Sequence, residues 1–418
     1  VRILNPFKGS SFPVDLLRKN LRQWENIDLI PREDDVFQER LYCIRWFETF
    51  IDIKGKERTK KHYRAPTSED FHREHQVLDL LRERFTGWQM KGCLPSRAIQ
   101  PGEKTKEPIQ TRGWKYWHHL FSPRQLLIIG LYMEEIINRS DYSDQFIGLL
   151  LGIGKVADWN SKLSVWDKSV ANERLANTFL NQALNPIYNQ GVRPNLAVAN
   201  SWFWSLKTAP VYGKGNIVPN DARANSEIND IWITDPPYAD AVNYHELSEF
   251  FLAWYEGYLK KHFKDWYFDS KRTLAVKGSG QDFRKTMMAC YKNLATNMPS
   301  NGMQVVMFTH QDASVWADLS MILWAAGLRV TAAWTIATET DSALKTGNYV
   351  QGTVLLVLRK RTETEPVFLD EVSHRVEAEV RRQLDSMTKL DDNSDPNFGD
   401  ADYQLAAYAA AMRVLTGQ

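Results

Sequence analysis

The chain has 418 residues, which exceeds one ordinary domain, and with 43% hydrophobic and 25% charged residues its composition is that of a globular protein. This composition excludes collagen-like and intrinsically disordered chains, and the longest apolar stretches are too short to span a bilayer. Lys and Arg (52) nearly balance Asp and Glu (51), so we expect local basic patches to bind any polyanion.

The three cysteines, Cys43, Cys93 and Cys290, are far apart and form no CxxC pair. This spacing argues against both a disulfide framework and a cysteine zinc site, and it indicates a reducing, cytoplasmic compartment. The chain begins with Val1 and shows no signal peptide, so we expect it to be part of a longer protein.

The first 30 residues follow the order strand, glycine turn, helix, strand, which is the opening of a βαβ unit. We assign residues 1–33 to this unit. Residues 34–200 are charged and mostly helical, and Ser122-Pro123 predicts the start of a helix that continues to Ile137. We interpret residues 34–200 as a helical insertion and as the candidate region for target recognition.

A basic stretch lies inside this insertion and contains Lys54, Lys56, Arg58, Lys60, Lys61 and Arg64 together with His62 and Tyr63. One interpretation is a solvated hairpin or loop. The other is a surface that contacts phosphates, because basic side chains interleaved with aromatic ones are typical of nucleic-acid binding.

Strand and helix patterns alternate over residues 201–361. Strands are predicted at 216–219, 231–234, 304–310, 329–338 and 352–359, and helices at 240–261, 284–298 and 313–326. The last two strands have no helix-length segment between them, so we expect an antiparallel hairpin. The sequence therefore predicts an α/β protein with a mostly parallel sheet, followed by an acidic helical extension over residues 362–418.

The most specific motif is Thr234-Asp235-Pro236-Pro237-Tyr238, which directly follows a predicted strand. Ligands of open α/β sheets bind at the carboxyl ends of strands. Two prolines remove two backbone donors, so carbonyl groups and Asp235 can accept hydrogen bonds from an amine, while Tyr238 offers a face on which a base can stack. A rigid turn that only ends a buried strand is the alternative.

This motif resembles the one that holds the target adenine in amino-methylating DNA methyltransferases. The segments TDPPYADAVNYHELSEFFLAW (234–254), TRGWKYWHHLFSPRQLL (111–127) and 332–360 are similar to the large adenine-specific DNA methylases associated with anti-phage gene clusters. The resemblance implies a Rossmann-like methyltransferase sheet, S-adenosylmethionine as methyl donor, double-stranded DNA as substrate and adenine N6 as acceptor. It assigns the catalytic role to Asp235, Pro236, Pro237 and Tyr238, and requires no metal.

The cofactor residues are predicted at two places. Asn5, Phe7 and Gly9 match the glycine turn of such enzymes, although Asn replaces Asp and the second glycine is missing. Asp28 follows this turn by about 20 residues, where a carboxylate meets ribose hydroxyls. Asp221 resembles the acidic residue that faces the adenine ring, and an ordinary turn Asp is the alternative for it. The alternative is that residues 1–30 are a linker into the helical region, with the glycine loop on an amino-terminal segment missing from this chain.

Other histidines and acidic residues are interpreted as structural. His72 and His75 are expected on a solvated helix face, because no third metal ligand is apparent. His118 and His119, beside two tryptophans, are expected to pack in an amphipathic segment. His245 and Glu246 are expected to be exposed helix residues.

The functional prediction is a DNA adenine-N6 methyltransferase of a prokaryotic restriction-modification or phage-defence system, nucleoid-associated, with other defence subunits as candidate partners and no membrane. Two alternatives stay open. One is a catalytically impaired subunit that binds DNA or a partner, and the other is methylation of another amino group, such as cytosine N4 or an RNA base.

Overall fold

The computed structural model describes residues 2–4, 20–139, 144–167, 175–180, 183–184, 212–237, 243–266, 272–278, 280–310, 312–337, 352–362, 367–390 and 398–417. The protein is a mixed α/β protein that divides into two compact units. Unit 1 comprises Val1–Ile217 and Asn243–Arg272, and unit 2 comprises Val218–Val242 and Thr273–Gln418. Within the described ranges, every helix is too short or too polar to cross a membrane.

Unit 1 is mainly helical. Its elements are β1 (Arg2–Leu4), β2 (Phe37–Glu39), β3 (Ile44–Ile51), β4 (Glu57–Arg64), α1 (Ser68–Lys91), α2 (Lys106–Arg112), α3 (Pro123–Arg139), α4 (Asp144–Trp159), β5 (Phe179–Leu180), β6 (Ala183–Leu184), α5 (Tyr244–Leu247) and α6 (Glu249–His262). Three antiparallel strand pairs form, β1 with β2, β3 with β4 and β5 with β6.

Aromatic side chains fill the core of unit 1. Trp117 packs edge-on against Phe250, with ring centroids 6.2 Å apart, and Trp254 packs likewise against Phe121 at 5.1 Å. All four are almost completely buried. Since Phe250 and Trp254 lie on α6, this packing anchors the segment that follows the proline motif in unit 1.

Unit 2 contains a mixed four-stranded sheet. Its elements are β7 (Ile231–Thr234), α7 (Gln281–Thr296), β8 (Met303–Phe308), α8 (Ala313–Ala325), β9 (Leu328–Ala337), β10 (Gly352–Lys360), α9 (Leu369–Leu390) and α10 (Asp400–Leu415). The strand order is β7-β8-β10-β9. Strands β7 and β8 are parallel, whereas β10 is antiparallel to both of its neighbours.

One face of this sheet forms the core of unit 2. Alternating residues such as Val306 and Leu356 are fully buried in a cluster with apolar residues of α7, α8 and α10. The opposite face leaves Ile233 70% exposed and Trp334 58% exposed. The period of two along β8 thus separates a packed face from an accessible one.

Most sequence-predicted elements of the sheet unit are confirmed, within about three residues, and the antiparallel hairpin is β9 with β10. The expectation of a mostly parallel sheet is wrong, because one of the three strand pairings among the described residues is parallel and two are antiparallel. The strand predicted at 216–219 is wrong, because residues 212–230 contain none. The second strand of the βαβ opening is also wrong. Residues 20–36 form turns and extended chain, and β1 pairs antiparallel with β2. The predicted domain boundaries differ from the boundaries of the two units, because residues 243–272 belong to unit 1.

Candidate functional site

The proline motif lies where the sequence predicts, directly after β7. Asp235 is exposed, while Pro236 and Pro237 are partly buried. Tyr238 lies outside the described residues. Because β7 and β8 run parallel with Thr234 beside Val306, the carboxyl ends of both strands meet at one edge of the sheet.

Tyr291 supports this edge from helix α7. Its hydroxyl lies 3.5 Å from the Thr234 hydroxyl, at the outer limit of a hydrogen bond, and only 2% of the residue is exposed. Burial raises the pKa of the Tyr291 phenol, and the nearby Asp235 carboxylate raises it further. The phenol therefore stays neutral at physiological pH and offers a fixed dipole beneath the motif.

Asp221 acts on the same helix at Cys290, the residue directly before Tyr291. Burial raises the pKa of the Cys290 thiol, and the negative charge of Asp221 adds to this effect. Asn293 donates to the carbonyls of Ala222 and Asn225, both at 2.9 Å, so the loop after Asp221 is fixed to α7. The charges of Asp221 and Asp235 thus act on two adjacent residues of α7, Cys290 and Tyr291, which the sequence alone does not establish.

The Asp221 carboxylate is itself paired. Arg223 donates to both of its oxygens at 2.6 to 3.1 Å, and these hydrogen bonds lower the pKa of Asp221 despite partial burial. The residue is ionised at neutral pH. A ligand hydroxyl at this position would share the carboxylate with Arg223.

The carboxyl end of β8 adds two residues that the sequence reading did not single out. The Thr309 hydroxyl is buried and has no hydrogen-bond partner among the described residues. His310 is held in place, since its Nδ1 accepts from the backbone N–H of Asp312 at 3.0 Å and its carbonyl accepts from the Trp316 indole at 2.8 Å. Their position directly after a strand parallel to β7 is the signal that could have indicated them.

Of the cofactor residues predicted near the start of the chain, Asp28 is the one that the structure describes. Asn5, Phe7 and Gly9 lie outside the described residues. Asp28 belongs to unit 1 and is 8% exposed. Burial opposes its ionisation, but Arg22 at 2.5 Å and the backbone N–H of Glu25 at 2.7 Å outweigh this and lower the pKa of Asp28. Its carboxylate therefore stabilises a turn.

The expectations for the other polar residues have mixed outcomes. His72 and His75 are exposed on α1, and no group of three potential metal ligands occurs among the described residues. His118 and His119 are buried in the core of unit 1, as expected for packing residues. The expectation that His245 and Glu246 are exposed is wrong, because the His245 side chain is 8% accessible and Glu246 is 4% accessible.

Glu246 instead caps helix α2. Its carboxylate accepts hydrogen bonds from the backbone N–H groups of Glu103 at 2.9 Å, Lys104 at 2.8 Å and Thr105 at 3.1 Å. These bonds outweigh the effect of burial and lower its pKa. A side chain at Gly102 would overlap the carboxylate. The helix that follows the motif is therefore fixed to a segment more than 140 residues earlier.

Comparison with known proteins gives no match to any family model, curated protein or solved structure.

Proposed function

We propose that this protein is an S-adenosylmethionine-dependent DNA methyltransferase that transfers a methyl group to the exocyclic N6 amine of adenine. The observation that carries the proposal is the location of Asp235, Pro236 and Pro237 directly after β7, at an edge shared with the carboxyl end of the parallel strand β8. The antiparallel β9–β10 hairpin agrees with the sheet that the family resemblance implies.

The exposed Asp235 carboxylate is suited to an amine acceptor. It accepts a hydrogen bond from one N–H of the adenine amine, and backbone carbonyls beside Pro236 accept from the other. Directing both N–H bonds at acceptors turns the nitrogen lone pair towards the methyl donor. Positioning of this kind can supply several kcal/mol of a barrier, on the order of 7 to 11 kcal/mol in well-oriented reactions.

The proton that the amine loses passes to Asp235 and then to water, since the residue is exposed. When bound, S-adenosylmethionine supplies the methyl group and leaves as a thioether. Tyr291, neutral because of burial, holds the strand end below the acceptor.

Among the predicted cofactor residues, Asp221 fits this role and Asp28 does not. Asp221 is ionised and lies near Cys290, the neighbour of the motif-supporting Tyr291. Asp28 is buried and pairs with Arg22 and Arg32, and the described residues 20–27 that precede it contain no strand. We therefore propose Asp221 as a contact for the adenine ring of the cofactor, and a prokaryotic restriction-modification or phage-defence setting for the reaction.

The test incubates the full chain with methyl-labelled S-adenosylmethionine and unmodified duplex DNA, then digests the DNA and identifies the labelled nucleoside. N6-methyladenine is expected with the unmodified chain and should be lost in Asp235→Ala. Asp230→Ala is the matched control, because Asp230 is an exposed Asp just before the other end of β7.

The denaturation midpoint of each variant is measured alongside. Normal turnover by folded Asp235→Ala would contradict the proposed role of Asp235. Labelled cytosine or labelled RNA would reassign the acceptor. No product from the unmodified chain, together with intact DNA binding, would favour the catalytically impaired alternative.

A further inference from the structure

The β3–β4 hairpin concentrates positive charge. Residues 44–64 contain seven Lys and Arg against three Asp and Glu, whereas the whole chain contains 52 and 51. Lys54, Lys56 and Lys60 are exposed. The hairpin therefore carries a local excess of positive charge, whereas the chain as a whole is nearly neutral.

The hairpin also exposes large apolar side chains on both of its faces. By the strand register, Phe50 shares a face with Arg58, and Ile51 shares the opposite face with Glu57. Phe50 is 44% exposed, Ile51 75%, and Ile53, in the turn, fully exposed. A two-stranded hairpin with this much apolar surface in water is marginally stable alone, so the surface indicates a partner.

The turn between the strands is well ordered. The Asp52 carboxylate accepts from the backbone N–H groups of Lys54 and Lys56, both at 2.9 Å, and from the Arg58 side chain at 2.9 Å. Gly55 adopts the left-handed conformation with φ of 74°. The backbone that carries Ile53 and Lys54 is therefore fixed by these hydrogen bonds, and both side chains are exposed at the turn.

The base of the hairpin is attached to the rest of unit 1. Arg64 pairs with the buried Asp70 of α1 at 2.9 Å and lies over the Trp46 ring at 4.8 Å. Arg45 lies over Phe47 at 4.8 Å and over Trp166 at 5.5 Å. The hairpin is thus anchored at one end, with its basic and apolar tip presented to solvent.

We propose that the β3–β4 hairpin is a DNA-contacting ribbon that enters a groove of the duplex. Lys54, Lys56 and Lys60 contact phosphates, and Ile53 contacts base edges or a base step. The proposal rests on the proposed function for the choice of DNA. The major groove is wide enough for a two-stranded ribbon, and eight residues per strand extend about 27 Å, the rise of about eight base pairs. A second copy of the same basic ribbon would be repelled.

The test measures binding of labelled duplex DNA by fluorescence anisotropy over a salt series, without cofactor, so it does not depend on methyl transfer. The triple variant Lys54→Ala, Lys56→Ala, Lys60→Ala should bind on the order of a hundredfold more weakly at about 0.1 M salt, with the salt slope reduced by about 2.7. The matched control replaces three exposed lysines outside the hairpin, Lys106, Lys214 and Lys389.

Ile53→Asp tests the apolar contact, and Ile53→Leu is its conservative partner. The Asp variant should weaken binding, whereas the Leu variant should bind like the unmodified chain. An unchanged DNA affinity in the folded triple variant would overturn the proposal. So would binding of an acidic polyglutamate peptide through the same lysines in the absence of DNA binding.

Discussion

Replacement of Glu246 gives the sharpest test of how the segment after the motif is anchored. In Glu246→Ala, the backbone N–H groups of Glu103, Lys104 and Thr105 lose their shared acceptor in a buried position. A buried donor left without a partner costs roughly 1 to 3 kcal/mol, and partial access of water reduces the sum over three donors. We therefore expect a loss of about 3 to 5 kcal/mol in the free energy of unfolding.

The assay is urea denaturation followed by tryptophan fluorescence, and the matched control is Glu256→Ala. Glu256 is exposed on α6, two turns beyond the start of that helix, so its loss should change stability by about 0.5 kcal/mol or less. Glu246→Gln retains one accepting oxygen and should give an intermediate loss. A loss below about 1 kcal/mol in Glu246→Ala would refute the capping role.

The pH dependence provides a second check on Glu246. Because its pKa in the folded chain is below the ordinary value of 4.5, its ionised form contributes stability that is present above pH 4.5 and is lost as the pH falls through the folded pKa. The difference in midpoint between the unmodified chain and Glu246→Gln should therefore shrink as the solution is acidified below pH 4.5. A difference that stays constant would show that charge is not the cause.

Three further predictions concern the two cores. Gly113→Ala should cost at least about 2 kcal/mol in denaturation, because Gly113 has φ of 72° and a Cβ would overlap the Arg22 carbonyl, whereas Gly148→Ala, with open space, should not destabilise. Gln304→Met should raise stability by about 1 kcal/mol, since both amide atoms of Gln304 are buried without a partner in the described structure, and a clear loss would contradict this. Burial lowers the pKa of His118 from 6.5 to about 4, so the folded chain binds fewer protons than the unfolded chain in that range. Stability should fall as the pH drops from 6.5 to 4, by roughly 3 kcal/mol, and a ring pKa near 6.5 by NMR would contradict the burial.

Most elements of the sheet in unit 2 could be predicted from the sequence, because each pattern involves residues close together in the chain. Ile231 to Thr234 is a short apolar run ended by two prolines, and the period of two in β8 separates buried from accessible residues. The absence of a helical pattern between β9 and β10 was sufficient to predict their antiparallel pairing. Each of these inferences uses residues close together in the chain.

The wrong strand in the first 30 residues arises where a side-chain ion pair outweighs the apolar pattern. Ile27 to Ile30 has the composition of a strand, but Arg22 draws Asp28 into a turn, so the strand does not form. The hairpin interpretation of the basic stretch is confirmed, because β4 pairs antiparallel with β3 and the Asp52 carboxylate fixes the turn between them. Neither pairing follows from periodicity alone.

The proline motif shows that a local sequence pattern locates only some of the residues around a candidate site. Before it, Thr234 is held by the parallel ladder with β8 and lies beside Tyr291, a residue 57 positions later. After it, the chain enters α5, where Glu246 is bound by backbone N–H groups 141 to 143 positions earlier. Thr234, at the start of the motif, is thus held in unit 2 by residues far away in the chain. A change at Tyr291 should therefore alter the position of Thr234, the residue directly before Asp235, and no local pattern in the sequence identifies Tyr291 or Glu246.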